Sequence, residues 1–98
     1  MASPLPFTPG ASISLSVTSS TAVGALPTGS GTVFRICNDG TVTVFFKATT
    51  VAGTAATTDT PILPGATELF TLDPAAVSIA AITGTGTATL RVTRGEGL

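Results

Sequence analysis

Apolar and polar residues alternate along most of this chain with the two-residue period of a half-buried β-strand. Over residues 11–18, serines alternate with Ile13, Leu15 and Val17. Over residues 87–93, Ala88, Leu90 and Val92 point one way while Thr89 and Arg91 point the other. Both stretches end in valine then threonine. This echo is strand patterning rather than a repeat, and it predicts two similar strands that are neighbours in one sheet.

The strongest pattern lies between them, at residues 33–46. It reads as a hairpin turning at Asn38, Asp39 and Gly40, with Gly40 taking the left-handed position of a three-residue loop. In that register Phe34, Ile36, Val42, Val44 and Phe46 share one apolar face. The other face carries Val33, Arg35 and Cys37 opposite Phe45, Thr43 and Thr41. A two-residue Asp39–Gly40 loop would slip the register by one residue and invert both faces, which is why the three-residue loop is preferred. The second face is mixed: either a loop covers part of it, or it meets another chain, since half-apolar faces with polar rims are typical of protein contacts.

The remaining elements are short. Residues 19–21 form a turn, 22–26 a second strand and 27–31 a loop. Residues 47–60, rich in alanine and threonine, give one weak strand and a mobile connection. Pro64 followed by Gly65 suits a type II turn. Residues 67–72 form a strand, and 73–76 fit one helical turn capped by Asp73 with Pro74 first. Residues 77–83 are nearly all apolar, as in a strand buried on both faces. The sum is an all-β fold, an antiparallel sandwich or small barrel of seven to eight short strands. The expected organisation is an extended proline-rich arm at 1–10, a sandwich at 11–94 and a tail at 95–98. In the arm, prolines at 4, 6 and 9 remove amide donors, while Leu5 and Phe7 give it an apolar side. It is either a frayed terminus or a segment laid over its own sandwich or a neighbour's.

Composition narrows the function. The chain has 98 residues, enough for one domain. Only 9% of them are charged, against about 25% in an ordinary soluble domain. A surface this poor in charge favours a chain packed against neighbours over one that stays apart from its copies. Four basic residues, Arg35, Lys47, Arg91 and Arg94, are too scattered for a nucleic-acid stripe. No apolar run is long enough to span a bilayer, and the N-terminus lacks the pattern of a signal peptide. Nucleic acid and membrane are therefore not expected partners.

Catalysis finds little to work with. Histidine, tyrosine and tryptophan are absent. The single cysteine, Cys37, has no histidine to activate it and no fellow ligands for zinc. Asp39 and Asp73 have structural positions in turns; Asp59 and Glu68 flank the Pro64–Gly65 turn and are the one pair with a chance of facing each other as hydrolase carboxylates do. No enzyme, cofactor or metal is expected.

The segments SPLPFTPGASISLSVT, TTDTPILPGATELFTL and VSIAAITGTGTATLRVTRGEG, with the central hairpin, resemble small β-rich virion proteins of tailed bacteriophages, of the head decoration (cement) kind. The resemblance implies a protein that coats an assembled shell, bridges major capsid subunits, associates with its own copies and is found in the virion after assembly in the host cytoplasm. A neck, tail or fibre-base component is the alternative, and a carbohydrate- or surface-binding module a further one. The expected contact residues are Leu5 and Phe7 in the arm with Val33, Arg35 and Phe45 on the hairpin.

Overall fold

A computed structural model describes residues 8–29, 31–51, 53–72 and 75–96. Eight strands form, with no helix among the described residues: β1 (Thr8–Val17), β2 (Ala22–Ala25), β3 (Val33–Gly40), β4 (Val44–Thr49), β5 (Thr60–Ile62), β6 (Thr67–Thr71), β7 (Ser78–Thr83) and β8 (Ala88–Glu96). They make two four-stranded sheets, in the orders β1-β8-β3-β6 and β2-β7-β4-β5. Every strand pair is antiparallel. The all-β sandwich read from the sequence is the fold of the protein.

Among these strands only β4 and β5 follow each other within one sheet; every other connection carries the chain across to the opposite layer. Eight strands wound in this order are a jelly roll, an arrangement of two interleaved Greek keys. The two chain-end strands are neighbours, as their shared pattern predicts: Ile13 pairs with Val92, Leu15 with Leu90 and Val17 with Ala88.

The hairpin is not formed. β3 lies between β8 and β6 in one sheet, whereas β4 lies between β7 and β5 in the other. The chain crosses between layers at residues 41–43. Each of the three residues taken for a loop has another task within β3. Asn38 is fully buried. Asp39 pairs with Arg91. Gly40 stands opposite Ala88, where a Cβ would approach that methyl to 2.6 Å. Gly40 therefore supplies room, and its φ is not positive.

The core fills the space between the layers. Ile36, Leu90, Val92 and Val17 from one sheet meet Val44, Ile62 and Ile79 from the other, all at full burial. Phe46 meets Phe70 edge-on at a centroid distance of 5.2 Å, a favoured aromatic geometry. At one end of the sandwich, Arg94 of β8 lies over the Phe34 ring at 5.1 Å. Its Nε donates to Gly31 O at 2.7 Å and its Nη1 to Pro27 O at 3.2 Å.

Element boundaries shift at both ends. Residues 8–10, assigned to the arm, belong to β1, where Thr8 pairs with Glu96 and Pro9 with Gly95. Gly95 and Glu96, assigned to the tail, complete β8. The rest of the arm and the proposed cap of Asp73 and Pro74 lie outside the described residues. The Pro64–Gly65 turn forms as read: Gly65 has φ of 75° and Ala66 N donates to Leu63 O at 3.0 Å. In β7 Ile79 and Ala81 face the core, and Ala80 on the opposite side is buried as well. Residues 53–59 explain that second burial. Gly53 lies against the Thr49 and Lys47 side chains of β4, and Thr21 Oγ1 donates to Ala55 O at 3.3 Å. The connection thus passes over β7, which separates β4 from β2. Asp59 closes it, accepting from Ala56 N at 2.7 Å.

Candidate interaction surface

Strand register determines which side chains share each outer face. On the β1-β8-β3-β6 sheet, one row runs Ser12, Thr93, Arg35, Leu69 and the next runs Ser14, Arg91, Cys37, Thr67. A third joins Ser16, Thr89 and Asp39. Hydroxyls dominate this face, and some bond to one another: Ser12 and Thr93 oxygens lie 2.7 Å apart. Two of its charges, Arg91 and Asp39, are paired within the face. Arg91 Nε donates to Asp39 Oδ2 at 3.0 Å and Arg91 Nη1 to Ser14 Oγ at 3.3 Å.

On the β2-β7-β4-β5 sheet, Phe45 lies between Pro61 and Ile82. Phe45 and Ile82 are half-buried, and Pro61 is exposed. Residues 53–59 cover the neighbouring part of this face. The mixed face expected from the sequence is not a single face, since Val33, Arg35 and Cys37 belong to the other sheet.

The structure separates the expected contact residues. Arg35 is exposed on one sheet, while Phe45 is half-buried on the outer side of the other. Val33 is only 9% exposed. Leu5 and Phe7 lie outside the described residues. No single face gathers the set, because the strands bearing it belong to different layers.

Other residues hold the exposed apolar surface. Leu63 is 61% exposed, Leu69 56%, Val77 58% and Val51 71%. The signal for one of these was present in the chain. Adjacent residues of a strand point to opposite faces, so Phe70 packed against the core forces Leu69 outward, whereas Leu63 lies beyond the end of β5 in the Pro64–Gly65 turn.

Little in the geometry assembles chemistry. No group of three or more histidine, cysteine or carboxylate side chains converges among the described residues. Asp59 is tied to its own loop, and Glu68 stands on β6 of the other sheet. Among the described residues, open grooves indent the surface. One, of about 350 Å³, lies between Pro9, Thr28, Gly29 and Glu96; the other, of about 430 Å³, between Ser16, Asp39, Thr41 and Thr87. Neither brings two carboxylates together. Among the described residues no helix is long and apolar enough to cross a membrane.

No protein-family model matches the chain. No curated protein matches it either.

Proposed function

We propose that this chain is a non-enzymatic virion structural protein, a decoration protein that binds the outer surface of a phage head and bridges capsid subunits. One observation carries the reading. In a chain only 9% charged, Leu63, Leu69, Val77 and Val51 all stand more than half exposed, a surface suited to burial among neighbours. The jelly roll is compatible with this role, being a fold that recurs in viral capsid domains but also in lectins and cupins; fold alone does not assign function. Many weak contacts to a repeating lattice give high avidity without any single strong one.

The test is to mix purified protein with undecorated shells and count bound copies by particle imaging. Copies distributed over the whole shell support the reading. Copies at a single vertex shift it to a neck, tail or fibre-base component, and absence of binding overturns it.

A further inference from the structure

We propose that β6 is a self-recognition edge: two copies pair antiparallel through Thr67–Thr71 about a two-fold axis at Leu69, joining their sheets into one of eight strands.

Each sheet ends in two edge strands, and edges left open pair with other chains unless they are blunted. Three of the four are blunted here. β1 carries Pro9 and a register shift between Pro9 and Ser12. β2 has four residues, with Gly24 among them. β5 has three, including Pro61. β6 has five residues, with no proline, no lysine and no break in its register to β3. Among the described residues nothing pairs with its outer side.

The parity of its hydrogen bonds makes that side self-complementary. Asn38 N donates to Ala66 O and Asn38 O accepts from Gly65 N, both at 2.9 Å, so both backbone groups of Asn38 face the β6 side. Bonded and non-bonded pairs alternate in antiparallel sheets, so Ile36 with Glu68 and Phe34 with Phe70 are the next bonded pairs. Glu68 and Phe70 therefore direct their N–H and C=O groups inward to β3. Thr67, Leu69 and Thr71 direct theirs out. A second β6 laid antiparallel with Leu69 opposite Leu69 brings Thr67 opposite Thr71 on either side. Every outward group then meets an outward group in bonded register, an isologous contact in which each copy presents the same patch.

The side chains agree with this register. Leu69, 56% exposed in the single chain, meets its own copy at the axis and is covered by it. Threonine faces threonine beside it, a favourable cross-strand pair. Glu68 falls opposite the partner's Phe70, so the two carboxylates are not directly opposed.

The proposal goes beyond the decoration reading and is decided on the isolated protein without shells, so either can fail alone. The experiment combines sedimentation equilibrium with amide hydrogen exchange on the wild type, Leu69→Lys and Leu69→Pro. The wild type is expected to sediment at twice its 9.6 kDa mass, with the Thr67, Leu69 and Thr71 amides protected. Leu69→Lys places a charge at the axis, and Leu69→Pro removes an outward N–H while leaving the β3 bonds intact. Each should weaken association roughly tenfold or more. Leu69→Lys alters only an exposed side chain, so it still decides the matter if the proline variant does not fold. A monomeric wild type at millimolar concentration overturns the proposal. So does a dimer that survives Leu69→Lys, or one in which those three amides exchange freely.

Discussion

The side-chain amide of Asn38 donates to the carbonyl of Ile62 at 2.9 Å, joining β3 of one sheet to β5 of the other inside the sandwich. The same amide donates to Val42 O at 2.8 Å, pinning the crossing between layers. Both hydrogens are used, and among the described residues Oδ1 has no partner. Asn38 is thus the polar tie that sets where the chain leaves one sheet and enters the next.

Replacing it tests that role. Asn38→Ala removes the side-chain donor from two carbonyl groups and is expected to cost about 2–3 kcal/mol. Asn38→Asp should cost more, because a carboxylate offers no donor and adds a buried charge. Urea unfolding of the two variants gives the order; equal stability to wild type would refute the assignment.

Arg94 closes the opposite end by geometry as well as charge. Its guanidinium serves Gly31 O and Pro27 O while covering Phe34. Arg94→Ala should destabilise by about 2 kcal/mol. Arg94→Lys should recover less than half of this, since an ammonium cannot reproduce the planar fork. Thermal melts compare them.

The exposed pair Arg91–Asp39 contributes much less. Its side chains are 55% and 59% accessible, so a double-mutant cycle should return a coupling of about 0.5 kcal/mol or less. A clearly larger value would mean that Ser14 and its neighbours form a stronger network than their exposure implies.

Two glycines should respond oppositely to alanine. At Gly31 a Cβ would sit 1.9 Å from Gly95 O, so the backbone must move and stability must fall. At Gly84 nothing lies within 4 Å and φ is not positive. Gly84→Ala should therefore stabilise, by about 0.4–1 kcal/mol, through the unfolded chain. Chemical denaturation of both variants checks the pair.

On purified particles, mutations on the two outer faces should act separately. If one sheet docks on the shell, either Arg35→Ala or Phe45→Ala lowers occupancy while the other leaves it unchanged. Equal losses would place both sheets in contact with neighbours.

Much of the fold was legible along the chain because strand periodicity is local. It gave the inward faces of β1, β3, β4 and β8 and the Pro64–Gly65 turn, whose residue types demand that conformation. The Asn38–Asp39–Gly40 stretch misled because its residues are turn formers by local preference. Here burial, an ion pair and close packing claim them instead. The contact surface was read from residues adjacent in sequence, and the crossing at 41–43 put them on opposite sides of the molecule.

Alternation alone therefore determined which side chains enter the core, and with it the two-layer β class. It could not determine partners. A chain that reverses within a sheet and one that crosses to the facing sheet both bury Phe34, Ile36, Val44 and Phe46, so the period is the same in either case. Only the tertiary structure chose between them, through contacts distant in sequence: Gly40 against Ala88, Arg94 over Phe34, and Asn38 bonded to Ile62.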